Sequence, residues 1–98
     1  MKFEKHSYCT GTGLKGHISA TYFDLVEVFG EPSYGPDDYE GDKTTCEWHL
    51  QFEDGTLATI YDWKTGETPK QLYSWHVGGK SMKAVDLINE TFEEHANV

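Results

Sequence analysis

The sequence predicts an α+β domain: a small antiparallel sheet, a three-stranded meander with an N-terminal strand or arm, and two helices packed on one face. Three observations lead there. An Asp54-Gly55 dipeptide separates two apolar-alternating runs, Cys46 to Phe52 and Leu57 to Trp63, which is the signature of a β-hairpin. Segments 21–29 and 81–93 instead repeat apolar residues with helical periodicity. Ninety-eight residues, 37% hydrophobic and 14% aromatic, are enough for one modest core and a single domain spanning 1–98.

Residues 1–9 read as a short strand or arm. Thr10-Gly11-Thr12-Gly13-Leu14-Lys15-Gly16 reads as a glycine-rich loop, and His17 to Ala20 as an extended link. Thr21-x-x-Asp24 opens a helix in the manner of a capping box. Tyr22, Leu25, Val26 and Phe29 share its apolar face, and Gly30 followed by Pro32 ends it near residue 29. The acidic stretch 31–43, with two Pro and two Gly, is a loop. Loops of that length in small domains are commonly lids or mobile segments.

With Asp54 and Gly55 as a two-residue turn, the expected hairpin register follows. Phe52 faces Leu57, Leu50 faces Thr59, Trp48 faces Tyr61 and Cys46 faces Trp63, all on the core side. On the other side Gln51 faces Ala58, His49 faces Ile60 and Glu47 faces Asp62. Residues 64–70 make a turn, and 71–77 a third strand with Tyr73, Trp75 and Val77 on one face. The last helix, about 81–93, carries the stripe Ala84, Val85, Leu87, Ile88 and Phe92.

Composition narrows function. A formal charge of −9 argues against binding duplex DNA or RNA, which needs a basic face. It allows a basic protein partner, or a small ligand in a locally positive pocket. No apolar run approaches the roughly 18 residues of a membrane span. Met1 to His6 lacks an apolar signal core, so a cytosolic location is expected. Cys9 and Cys46 are too few and too far apart for a disulfide framework or a zinc knuckle and are expected to be reduced.

The junction Trp75-His76-Val77-Gly78-Gly79-Lys80-Ser81 reads as a strand that stops at two glycines and enters a helix. A helix N-terminus offers unpaired N–H groups and partial positive charge, and Lys80 adds a full charge. A P-loop is excluded, because that motif requires Gly at position 74, which is Ser. The plainer reading is a tight turn with Ser81 as N-cap. The 10–16 loop is a second candidate, a backbone nest or simply a flexible turn. A phosphate-bearing ligand held between the two Gly/Lys segments, within one chain or across a dimer, would use Gly11, Thr12, Gly13, Lys15, His76, Gly78, Gly79, Lys80 and Ser81. Trp48, Tyr61, Trp63 and Trp75 read as plain core, or else one or two of them near the sheet rim, Trp75 among the candidates, stack on a base, and Tyr39 would close from the acidic loop.

Glu47, Asp62, His49 and His76 could suit a divalent ion. Solvent exposure, or neutralisation by Lys43 or Lys64, is the simpler account, so no metal is expected. The histidines show no H-E-x-x-H spacing, and Cys46 points to the core. The chain is therefore expected to have no catalytic residues, to need no cofactor and not to be an enzyme.

Gly11-Thr12-Gly13-Leu14-Lys15-Gly16 with Ala20-Thr21-Tyr22-Phe23-Asp24-Leu25-Val26-Glu27-Val28-Phe29-Gly30-Glu31-Pro32 resembles a family of very small tailed-phage proteins. So do Trp48-x-Leu50-x-Phe52-x-Asp54-Gly55-Thr56-x-Ala58-Thr59-Ile60-Tyr61-Asp62-Trp63-Lys64 and Trp75-His76-Val77-Gly78-Gly79. The likeness covers about residues 11–90, and its most specific block is DGTLATIYDWK. Most members are uncharacterised. The resemblance implies a phage counter-defence protein of the anti-CBASS sponge type. Such a protein binds a cyclic oligonucleotide immune signal without cleaving it, in the host bacterial cytoplasm, as a homo-oligomer with pockets at subunit contacts. The competing expectation is an acidic inhibitor, a nucleic-acid mimic that covers a basic host protein with Asp37, Asp38, Glu40 and Asp42. A third is an accessory phage protein with no ligand.

Overall fold

Five antiparallel strands and two helices build the fold, in a computed structural model that describes residues 2–5, 11–35 and 44–96. In chain order they are β1 (Phe3–Lys5), β2 (Gly13–Ala20), α1 (Tyr22–Phe29), β3 (Glu47–Phe52), β4 (Leu57–Tyr61), β5 (Tyr73–Gly79) and α2 (Lys83–Ala96). The strands lie in the order β1-β3-β4-β5-β2, so the expected meander β3-β4-β5 is the centre of the sheet and the first two strands close its edges. Thr10, Cys9, Tyr39, Lys43 and the acids from Asp37 to Asp42 fall outside the described residues, as does most of the expected loop 31–43. The start of that loop is tied down: Tyr34 and Glu47 exchange backbone hydrogen bonds of 3.1 and 2.7 Å.

α1 forms where the sequence predicts it. The Thr21 side chain accepts from the Asp24 amide, and the Asp24 carboxylate accepts from the Thr21 amide, both at 3.1 Å. Gly30 ends the helix at φ 84°, a conformation that disfavours side chains. Leu25 and Phe29 are buried from this helix, and Ala84, Leu87 and Ile88 from α2. They meet Trp48, Leu50, Phe52, Ala58, Ile60, Trp75 and Val77 in one core on a single face of the sheet. Trp48 and Trp75 pack edge to face at 5.6 Å. Their indole N–H groups donate to Gly30 O at 2.8 Å and Ala20 O at 2.9 Å, so neither ring buries an orphan donor.

The sheet corrects three expectations. First, the supposed loop and link at 13–20 are one strand, β2, paired with β5 from Gly13↔Gly79 to Ala20↔Tyr73, with a bulge between Leu14 and Gly16. Second, the hairpin register is displaced by one residue. Gln51 faces Leu57, His49 faces Thr59 and Glu47 faces Tyr61. The cause is a three-residue loop, Glu53-Asp54-Gly55, in which Phe52 N–H donates to Thr56 O at 2.9 Å and Gly55 takes φ 90°. Because side chains alternate, this one-residue displacement moves β4 to the opposite face. Ala58 and Ile60 enter the core, and Tyr61 leaves it. Trp63, also expected inside, is exposed.

Third, the third strand runs on through Gly78 and Gly79 to residue 79, and α2 begins at Lys83 and ends at Ala96 rather than spanning 81–93. Both glycines are packing positions. A Cβ on Gly79 would lie 2.5 Å from the Ala84 Cβ of α2, and one on Gly78 would come within van der Waals overlap of the Thr59 hydroxyl.

Asp62 does not face Glu47. It is fully buried, accepting from the Thr45 amide at 2.7 Å, the Thr45 hydroxyl at 2.6 Å, the Cys46 amide at 3.3 Å and the Thr65 hydroxyl. A carboxylate with that many donors is satisfied without a counter-cation. It ties the segment before β3 to the segment after β4.

Candidate functional site

Both helices lie on one face, and the residues of the other face alternate with the core along each strand. Two cross-strand rows follow from the register. One runs Glu47, Tyr61, His76, His17; the other runs His49, Thr59, Gly78, Leu14. Gly78 contributes no side chain, so the second row dips at β5. Thr12, Gly13, Thr44, Glu47, His49, Thr59, Tyr61, Trp63 and Gly78 line a groove of about 210 Å³ there. A neighbouring hollow of about 340 Å³, lined by Leu14, Tyr61, Trp63 and His76, shares its aromatic wall.

The wall is a set of stacked rings. Tyr61 lies flat on His76 at 5.3 Å, His17 meets His76 edge-on at 4.7 Å, and Trp63 meets Tyr61 edge-on at 6.3 Å. Burial, with the charge of His17 second, holds the His76 imidazole below the usual histidine range, against an opposing pull from Asp62. Burial first, then the Glu47 charge, raises the Tyr61 phenol, so it stays a hydroxyl at neutral pH. At the other end of the groove, Glu47 Oε1 takes His49 Nε2 at 2.8 Å and Oε2 takes the Thr44 hydroxyl at 2.6 Å. The His49 bond is the main reason the Glu47 carboxyl lies below the usual range; burial opposes it. Glu47 is therefore an anion at neutral pH. With Nε2 bonded to Glu47, His49 Nδ1 is left enclosed without a partner among the described residues, as is Nδ1 of His76.

The expected site residues divide into three groups. The β2–β5 pairing brings the two Gly/Lys segments together, with Gly13 opposite Gly79 and Leu14 opposite Gly78. The Lys80 side chain runs against Gly11, its Cε 3.6 Å from where a Cβ there would sit. Lys15 Nζ lies 3.8 Å from the same point on Gly13. Neither ammonium is ion-paired among the described residues. His76 and Thr12 border the same face. Trp75 does not: it is fully buried on the core side and cannot stack on a ligand. Tyr39 lies outside the described residues.

The helix N-terminus is not an open anion cradle. Ser81 Oγ accepts from the Lys83 amide at 3.3 Å, Ser81 O from the Ala84 amide at 3.2 Å, and Met82 O from the Val85 amide at 3.0 Å. Lys83 pairs with the Asp54 carboxylate, which this contact holds well below the usual range. The first-turn amides thus have their own acceptors; Ser81 supplies one of them from two residues before the helix, which starts at Lys83 rather than directly after Ser81. The feature that remains is the aromatic groove at Gly13 and Gly78, whose lining includes neither Lys15 nor Lys80 and whose shape is not legible in the sequence. The sequence leaves Tyr61 and Trp63 open between the core and a base-stacking rim, and it points to Glu47 with His49 only as metal ligands. A glycine inside a strand, Gly78, was the available signal for a dip in the sheet. Among the described residues no group of three or more His, Cys, Asp or Glu is arranged to hold a metal ion.

Compared with protein-family models, with curated proteins and with solved structures, the chain matches none.

Proposed function

We propose that the protein binds a small phosphate-bearing planar ligand, of the cyclic-oligonucleotide class, on the open face of its sheet and sequesters it without cleaving it. The observation that carries this reading is the convergence of Thr12, Gly13 and Leu14 of one Gly/Lys segment with Gly78 of the other beside the Tyr61, Trp63 and His76 wall. Lys15 and Lys80 put positive charge on these two segments in a chain of net charge −9; they lie against Gly13 and Gly11, outside the lining of the groove itself. Aromatic faces accept any base by stacking, worth about 1–3 kcal/mol per base. The resemblance to small phage proteins supports the same class of ligand and a role as a homo-oligomeric counter-defence sponge.

Sequestration rather than turnover is part of the proposal. Cys46 is enclosed, and burial, helped by the Asp62 charge, pushes its thiol up to about 12, so it is no nucleophile. The test is isothermal titration against a panel of cyclic di- and trinucleotides, followed by chromatography of the released ligand. Saturable heat with intact ligand is expected; absence of heat and of any thermal shift across the panel overturns it. A second reading, capture of a basic host protein, is favoured by the charge of −9. It is the outcome if salt-sensitive capture of such a protein survives Lys15→Glu and Lys80→Glu while nucleotides give no heat.

A further inference from the structure

We infer that the groove reads its ligand's base through the Glu47 carboxylate and so prefers guanine to adenine, cytosine or uracil. This rests on the nucleotide-binding reading above and adds to it the identity of the base.

The Glu47 carboxylate has unused acceptor capacity. A carboxylate offers about four acceptor positions, two on each oxygen. Glu47 spends one per oxygen, on His49 Nε2 at 2.8 Å and on the Thr44 hydroxyl at 2.6 Å. Among the described residues, one position remains on each oxygen. The two bonds also fix the rotamer, so the group presents a preset pair of acceptors. Its side chain is 30% exposed, open enough to be reached from the groove it lines.

The groove selects the shape of what arrives. Tyr61, directly opposite Glu47 on β4, and Trp63 wall the space in front of the carboxylate. A flat ring lying against that wall meets Glu47 with its edge. Guanine alone among the four bases offers two adjacent N–H donors on one edge, N1–H and the exocyclic N2 amine. They match a carboxylate as a bidentate pair, the strong form of this contact. Adenine and cytosine each place a bare ring nitrogen next to their amine. Uracil flanks its single N–H with two carbonyls. Any of these turns a lone pair toward an anion, which is repulsive and leaves one acceptor unpaired.

The test uses the intact protein and three probes: cyclic di-GMP, cyclic di-AMP and the mixed cyclic GMP–AMP. Titration calorimetry is expected to show cyclic di-GMP binding about tenfold or more tighter than cyclic di-AMP, the size of one bidentate base contact. The mixed ligand should bind nearer to cyclic di-GMP. In Glu47→Gln the preference is expected to collapse to within about twofold, chiefly through weaker guanine binding, with the thermal midpoint recorded as a fold control. Equal affinity for the guanine and adenine ligands, or tighter adenine binding, in the wild-type protein overturns the inference and leaves the proposed function standing. Binding of none of the three overturns the inference. Silence across the whole cyclic-nucleotide panel overturns the proposed function as well. The wild-type comparison decides even if Glu47→Gln fails to fold.

Discussion

Gly79→Ala tests whether the β5–α2 junction is a packing joint or a ligand cradle. An alanine Cβ there would lie 2.5 Å from the Ala84 Cβ and 3.3 Å from the Leu57 carbonyl oxygen. Carbon atoms settle at about 3.5–4.0 Å, so β5 and the first turn of α2 must part by roughly 1 Å. Ala84 is fully buried, and Leu57 O belongs to the neighbouring strand, so neither neighbour is the free end of a flexible side chain. Overpacking of this kind costs about 1–3 kcal/mol, and the upper half of that range applies to two rigid neighbours. Loss of glycine's unfolded-state freedom returns about 0.4–1 kcal/mol. A net destabilisation of about 2 kcal/mol is expected, a fall in Tm of roughly 8–16 °C for a domain of this size. Urea unfolding should show a lower midpoint with an unchanged slope. Ala84→Gly removes the atom struck and by itself costs about 1 kcal/mol of helix propensity. In the double variant the two losses should fall short of their sum by at least about 1 kcal/mol. If Gly79→Ala melts within about 2 °C of wild type, the joint is not packed as described. The glycine would then be free for the ligand role that the sequence first suggested.

Lys15→Glu and Lys80→Glu should each weaken cyclic-nucleotide binding by about tenfold or more while leaving Tm within a few degrees, since Lys80 is exposed and Lys15, half-buried on an edge strand, has no ion pair among the described residues; unchanged affinity in both would remove the phosphate end of the site. Stability should fall as pH drops through the region below 6.5, because the folded state holds His76 neutral while the unfolded chain takes up the proton. The stability is present above the unfolded value and lost beneath it. His76→Asn, which leaves His17, Tyr61 and Asp62 in place around the position, should flatten that slope between pH 7.5 and 5 in urea titrations; an identical slope counts against the assignment. In Cys9→Ser protein, Cys46 should resist a thiol reagent until denaturant is added, since its thiol is enclosed and pushed up to about 12; mass spectrometry showing labelling of the native protein would contradict that burial.

The core positions of the helices and of β3 were legible because each segment carries its own periodicity. Leu25 and Phe29, Leu87 and Ile88, Trp48 and Leu50 all fall inside as their spacing predicts. β2 was not legible. Gly13 and Gly16 resemble loop residues, and only Ile18 and Ala20 alternate toward the core. Gly16 is tolerated in a strand because Val85 of α2 passes 3.0 Å from where its Cβ would be, a contact that the local sequence does not record. The open-face groove was hidden for a different reason. Asp-Gly specifies a tight turn but leaves open whether two or three residues form it, and that single choice moved Tyr61 from the core side to the open side.

The sequence by itself determined an acidic α+β domain with a central hairpin, two amphipathic helices and a capping box, because these depend on neighbours within a turn or two of chain. It also singled out two Gly/Lys segments. Only the tertiary structure decided that those segments lie side by side, because β2 and β5 are joined through pairings some 60 residues apart in sequence, such as Leu14↔Gly78. It likewise decided that Trp75 is core, that Asp62 is a buried tie, and that Glu47, Tyr61 and Trp63 share a groove. Each of these depends on register and strand order, which are settled by long-range burial once the helices cover one face of the sheet.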